Sequence, residues 1–288
     1  MASSKPKKHK SLSAGRPPTL RRPAASLSSK ATRTLIRSHH QLQKASAAAV
    51  KAGDERKAAI LEYQIEQQGG LQAYQRASIQ GQSTERGGDS SKVLLNWLAD
   101  VSFRAPAGER LRMLEVGALS RSNACSRSSV FDVTRIDLRS QGSGIVQQDF
   151  MQRPLPMSGA EMFDIVSLSL VLNYVPDAAA RGEMLRRTCR FLSHVRTSET
   201  GSDGQALLPA LFLVLPAPCV INSRYLTEDL LSRIMASLGY TLLKRKLSTK
   251  LVYYLWRASE EPAIRPTKFV KTEVNPGVKR NNFCVVLE

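Results

Sequence analysis

The chain has 288 residues, four cysteines and a formal net charge of +18 at pH 7. That length holds one α/β domain plus extensions, and no run of eighteen apolar residues offers a membrane span. Cys125, Cys189, Cys219 and Cys284 form no CxxC pair, so neither a zinc site nor a disulfide framework can be read from them, and a reducing intracellular compartment is the simplest expectation.

The charge is uneven. Residues 1–53 hold twelve Lys or Arg and no Asp or Glu, which leaves thirty basic and twenty-four acidic residues for the rest of the chain. An acid-free basic arm is drawn to polyanions by counterion release, making nucleic acid the first partner to consider; a solvated tail with no fixed partner is the plain alternative. The N-terminus lacks the apolar core of a secretory signal, and KPKKHK at 5–10 reads as a nuclear import patch. Residues 1–33 are too rich in Ser, Pro, Ala and Lys to offset ordering entropy, so a disordered basic tail is expected there.

Helical character begins near Thr34 and runs through a 34–105 region. Asp54 is a cap for the run through Ala58, Ile60, Leu61 and Ile65, and Gly69–Gly70 breaks it. After the turn at Gly87–Gly88, Asp89 or Ser90 caps a helix whose Val93, Leu94, Trp97, Leu98 and Val101 share one apolar face. From residue 106 to 258 short apolar runs alternate with helices, the signature of a mostly parallel sheet. The expected strands are 111–116, 133–138, 144–147, 163–168 and 211–215, with a helix near 178–192 and an inserted polar loop at 195–207. Thr227 caps a further helix that Gly239 ends. Residues 240–247 and 251–256 read as a hairpin or a pair of late strands and 259–288 as a connector and closing strand, with FCVVL at 283–287 one of the late segments that could close the sheet.

A ligand lying across the carboxyl ends of these strands would meet chemistry in a set order. Glu115 could hold a cationic amino-acid end, and Gly117 lets a ligand approach the backbone. Asp137 could accept from two ribose hydroxyls, and Asp149 from an adenine amine while Phe150 packs on the base. Each residue alone fits an ordinary strand end or turn. Together they have the layout of a class I S-adenosyl-L-methionine site. Gly117 is followed by Ala118, Leu119 and Ser120, and the absence of GxGxxG argues against a dinucleotide, whose pyrophosphate needs closer backbone approach. Beyond the fourth strand, Asn173 could bond a base edge and Tyr174 stack on a base; equally, Asn173 could cap a turn and Tyr174 pack under the next helix. Arg224 is a phosphate-contact candidate or a solvated arginine. No catalytic base or metal cluster can be named, and Asp177 or the carbonyls around Asn173 are open acceptors for developing positive charge.

The stretches GGLQAYQRASIQGQ (69–82), RGGDSSKVLLNWL (86–98), LEVGALSRSNACS (114–126), RIDLRS (135–140), QQDFMQRPLP (147–156), FDIVSLSLVLNYVPDAAARGEMLRR (163–187), LFLVLPAPCVINSRY (211–225), LVYYLW (251–256) and RNNFCVVL (280–287) carry a resemblance. The chain resembles the fungal 25S rRNA adenine-N(1)-methyltransferases, nucleolar base methyltransferases of large-subunit RNA. The resemblance implies a Rossmann-like class I fold that takes S-adenosyl-L-methionine, with cofactor residues at Gly117 and Asp137. It also implies methyl transfer to N(1) of one adenine of 25S rRNA, on RNA or pre-ribosomal particles, in the nucleus and nucleolus during ribosome biogenesis. A related animal branch looks like a metabolite sensor, so a non-catalytic S-adenosylmethionine-binding regulator is the alternative.

Overall fold

The computed structural model describes residues 28–81, 89–99, 110–140, 142–193, 207–259 and 267–288. The tail through residue 27, the turn at Gly87–Gly88 and the inserted loop through residue 206 lie outside the described residues.

Three helices come first: α1 (Ser29–Lys51), α2 (Glu55–Gln67) and α3 (Gly70–Gly81), and α1 packs on both others. Helix α1 starts five residues before the expected Thr34 because Ser28 caps it, its hydroxyl accepting from the Ala31 amide at 3.1 Å. Asp54 caps α2 as expected, accepting from the Lys57 amide at 3.0 Å. Gly69, at φ +88°, makes the break between α2 and α3 that a side chain would resist. Helix α4 (Ser91–Ala99) is capped by Asp89, which accepts from the Ser91 amide at 3.0 Å.

Seven strands follow: β1 (Leu111–Val116), β2 (Phe131–Asp137), β3 (Val146–Gln147), β4 (Ile165–Ser169), β5 (Ala210–Pro216), β6 (Tyr240–Leu247) and β7 (Leu251–Ala258). They form one sheet in the order β3-β2-β1-β4-β5-β7-β6, in which β7 alone runs against its neighbours. Crossover helices separate parallel neighbours: α5 (Ala124–Arg127) between β1 and β2, and α6 (Ala178–Cys189) between β4 and β5. Helices α7 (Pro218–Ile221) and α8 (Glu228–Ser237) follow β5. This is the Rossmann-like class I methyltransferase arrangement that the strand grammar predicts.

Strand β5 shows how the sheet divides its core. Leu211, Leu213 and Leu215 face one way, where Met184 and Leu185 of α6 and Leu231, Ile234 and Met235 of α8 cover them. Ala210, Phe212 and Val214 face the other way, toward Leu94 and Leu98 of α4. Every one of these strand residues is at most 1% exposed, so each large side chain contributes about 1.5–3 kcal/mol through burial. Trp97 anchors α4 with an edge-on contact to Phe212, ring centroids 6.0 Å apart, in the core role its spacing predicts.

The expected closing strand is not part of the sheet. β6 and β7 complete that edge, with a bulge between Leu242 and Lys244 on the outermost strand β6. Residues 283–287 instead lie along α6 and pair only through an isolated bridge, Phe269 with Leu287. The run is apolar because it is buried there: Phe283, Cys284, Val285 and Leu287 are each at most 5% exposed.

Candidate active site

The chain leaves β1 toward β2 and β4 toward β5, on opposite sides of the sheet, so β1 and β4 flank a switch point. Ligands of open α/β sheets bind in the crevice outside the carboxyl ends at such a point. Glu115, Gly117, Ser169 and the loop after it all stand at this edge.

Glu115 is the penultimate residue of β1, and its side chain is only 16% exposed. Its Oε1 accepts from Asn123 Nδ2 at 2.7 Å. Its Oε2 is buried with no hydrogen-bond partner, since Arg135 Nε stands 4.0 Å away and donates instead to Ser126 Oγ. Burial pushes the Glu115 carboxyl above the usual carboxylate range; Asn123 and Arg135 pull it back, while Asp89 adds to the rise. A buried carboxylate oxygen without a donor is costly unless a ligand supplies one. Asn123 is well held for its part, because its Oδ1 caps α5 by accepting from the Ser126 amide at 2.8 Å.

Gly117 turns the chain at φ +73° while its amide donates to the Ile136 carbonyl at 2.8 Å. A Cβ there would lie 2.6 Å from Val171 Cγ2. Both backbone conformation and space therefore require glycine. The contact also ties the β1 turn to the loop that follows β4.

Asp137 ends β2, its Oδ1 accepting from the Arg139 amide at 2.8 Å and its carbonyl accepting from the Gln148 amide. Asp149 lies just past β3, where its Oδ1 accepts from the Met151 amide at 2.8 Å. Phe150 is a correction. The residue is 2% exposed and packs on Phe191, ring centroids 5.3 Å apart, with the Arg187 guanidinium 5.9 Å from its own ring centroid. A ring so buried is taken up by core packing against Phe191 and is not open to a base.

The far side of the crevice begins with Ser169, whose hydroxyl pairs with that of Ser90 at 2.8 Å. Leu170 follows at φ 58°, a left-handed conformation that side chains adopt at a cost, held by its amide donating to the Val214 carbonyl at 3.0 Å. A turn then closes from the Tyr174 amide to the Val171 carbonyl at 2.9 Å. Asn173 projects a buried Oδ1 that has no partner. It does not cap the helix behind it: Asp177 does, accepting from the amides of Ala179 and Ala180, both at 2.9 Å. Tyr174 is half-buried beside it.

Arg224 is the second correction. Its Nε donates to the Gly277 carbonyl at 2.9 Å and its Nη1 to Asn282 Oδ1 at 2.7 Å. Those bonds tie its guanidinium to the C-terminal segment. Sequence reasoning also missed Val171, Asn123 and Arg181. The first two carry no chemical signal, and Arg181 looks in sequence like an ordinary helix-surface arginine. Among the described residues, no group of three or more His, Cys, Asp or Glu could hold a metal ion.

With this geometry in view, comparison with known proteins is specific. The model of the family described as "25S rRNA (adenine(2142)-N(1))-methyltransferase, Bmt2" matches residues 59–285. The 25S rRNA (adenine(2142)-N(1))-methyltransferase of Saccharomyces cerevisiae is 40% identical over 226 residues, which is 78% of this chain and 62% of that protein. The 25S rRNA adenine-N(1) methyltransferase of Schizosaccharomyces pombe is 39% identical over 219 residues, 75% of this chain and 76% of that one. This chain thus matches somewhat under two thirds of the budding-yeast protein's length.

Proposed function

Because this chain belongs to the 25S rRNA (adenine(2142)-N(1))-methyltransferase family, we propose that it transfers a methyl group from S-adenosyl-L-methionine to N(1) of an adenine in large-subunit rRNA. The observation that carries this reading is a pair of buried acceptor atoms without donors, Glu115 Oε2 and Asn173 Oδ1, at the ends of the adjacent strand β1 and of the turn after β4. The first suits the ammonium of an amino-acid ligand. The second suits an N–H on the Watson–Crick edge of a base.

The residues present fit the cofactor. Glu115 would hold its cationic end, the turn at Gly117 would bring the backbone alongside it at the strand end, and Asp137 would accept from its ribose hydroxyls. Asp149 would accept from its adenine amine. When bound, the cofactor supplies an electrophilic methyl group on a sulfonium. Adenine N(1) carries an in-plane lone pair while neutral, so the chain needs no residue to deprotonate it. What the residues must do is take the base out of its stack, at a cost of a few kcal/mol, and hold N(1) in line. Alignment of bound reactants supplies up to about 7–11 kcal/mol. Asn173 Oδ1, accepting from the exocyclic amine beside N(1), would set that alignment, and Tyr174 is its neighbour for stacking.

Action on rRNA or pre-ribosomal particles in the nucleus and nucleolus, as a step of ribosome biogenesis, belongs to the same proposal. The acid-free basic arm and KPKKHK at 5–10 support it. The test is methyl transfer from labelled cofactor to deproteinised large-subunit RNA that lacks the modification, mapped by primer extension, since N(1) methylation stops the polymerase. A stop at one adenine is expected. Intact cofactor binding with no label on any adenine would mean a binding protein and not an enzyme.

A further inference from the structure

Arg181 is a buried cation, 2% exposed, with no acid bonded to it among the described residues. Its guanidinium instead donates to three carbonyls from two distant parts of the chain. Nε reaches Val175 at 2.8 Å and Nη2 reaches Pro176 at 3.1 Å, both in the loop after β4. Nη1 reaches Cys284 at 2.6 Å, in the C-terminal segment. Phe283 lies against its face, 4.6 Å from ring centroid to guanidinium carbon.

The same segment grips the loop after β5. Ser223 Oγ donates to the Phe283 carbonyl at 2.5 Å, and Asn281 Nδ2 donates to the carbonyls of Pro218 and Asn222 at 2.7 and 2.8 Å. Residues Ser223 and Asn281 pair as a parallel bridge. The segment lies hard against α6, where the Val286 amide donates to the Ala178 carbonyl at 3.0 Å and a Cβ on Gly182 would fall 1.8 Å from the Val286 carbonyl oxygen. Residues 281–288 therefore lie as a strap that joins both loops on the acceptor side of the crevice. None of these bonds touches β1, β2 or β3.

We infer that Arg181 is a positioning residue for the methyl acceptor, acting through this strap on the turn that carries Asn173. The inference rests on the reading that the loop after β4 faces the acceptor. An arginine is suited because its planar fork meets three carbonyls in fixed directions, which a lysine ammonium cannot do at once. A neutral side chain there would leave buried carbonyls without donors.

The experiment uses the full chain with Arg181→Lys, and Ser223→Ala as a milder variant that removes the Phe283 bond and leaves Arg181 in place. Hydrogen exchange is read at the amides of residues 171–177 and 218–226, beside cofactor affinity and kcat on large-subunit RNA. Both loops should exchange at least tenfold faster, with exchange at the ends of β1 and β2 unchanged. Cofactor Kd should stay within twofold and kcat should fall tenfold or more, further in Arg181→Lys than in Ser223→Ala. Unchanged exchange in the loops overturns the strap. Loosened loops with unchanged kcat, or cofactor affinity falling in step with kcat, overturns the positioning role. Asn173→Ala separates the two readings: if it lowers kcat while Arg181→Lys does not, the strap inference alone fails, and if neither does, the acceptor-loop reading fails with it.

Discussion

The two halves of the crevice are built by different means. At the proposed cofactor side, each carboxylate is held by its near neighbours: Glu115 by Asn123, Asp137 by the Arg139 amide, Asp149 by the Met151 amide. On the proposed acceptor side, the loops are held by bonds spanning 103 and 60 residues, from Arg181 to Cys284 and from Ser223 to Phe283. A site made of local turns is formed wherever its strands pair. A site held by the end of the chain exists only once the whole domain has closed. The difference predicts that cofactor binding survives injuries that abolish the capture of a base.

The largest test of that separation is Gly117, where the halves touch. Gly117→Arg should abolish cofactor binding, measured by titration calorimetry, and should also disturb the loop after β4, because even a Cβ meets Val171. The smaller change Gly117→Ala isolates the contact. Overpacking should cost about 1–3 kcal/mol, and Val171→Ala in the same chain should recover that part, leaving roughly 1 kcal/mol of left-handed strain. A double variant no more stable than the single in chemical denaturation would mean that Val171 is not the constraint.

Asp137→Ala sharpens the comparison from the cofactor side alone. It should weaken cofactor binding by about 1.5–3 kcal/mol, the scale of hydrogen bonds to a charged acceptor, with exchange in the 171–177 loop unaltered. Glu115 adds a pH signature. Burial raises its carboxyl pKa in the folded protein, so its contribution to stability is full at low pH and is lost as pH rises through that raised value. A cationic ligand favours the ionised form, so binding releases a proton and affinity should climb across the same acid range, then level off. Glu115→Gln should flatten that profile while leaving the ligand-free protein at least as stable at neutral pH. A wild-type affinity that is flat through the acid range would remove Glu115 from the site. The smallest effect lies outside both halves: Thr227→Ala removes the cap that accepts from the Leu230 amide at 3.1 Å, costing about 1 kcal/mol of stability with cofactor affinity intact.

The same contrast explains what could be read beforehand. The apolar runs of β1, β4 and β5 and the caps at Asp54 and Thr227 were legible because strand burial and helix capping depend on residues a few positions apart. So were the stations of Glu115, Gly117 and Asp137, which follow from where a strand ends. Phe150 was misassigned because nothing beside it in sequence reveals that Phe191 and Arg187 pack against its ring. Arg224 was misassigned for the same reason, its partners lying more than fifty residues away. FCVVL was apolar enough for a strand, and only the three-dimensional path shows that α6, not a neighbouring strand, buries it. Arg181 has no sequence signal at all: two of its carbonyl partners are close by, but Cys284 and the Phe283 ring that help bury it lie about a hundred residues away.

Strand β6, the outer edge beside β7, has a consequence for how the protein keeps to itself. An open edge offers unpaired backbone groups on which another chain can add a strand. Here the edge carries Lys244, Arg245 and Lys246 in a row with a bulge just before the first of them, and Arg245 is further pinned to Glu228 at 2.7 Å. Two approaching copies would bring like charges together and find the ladder out of step. At the opposite edge β3 spans only two residues, too short to template an addition. Neither rim of the sheet thus offers a ready template for a further strand, the one because of charge and a bulge, the other because of its brevity.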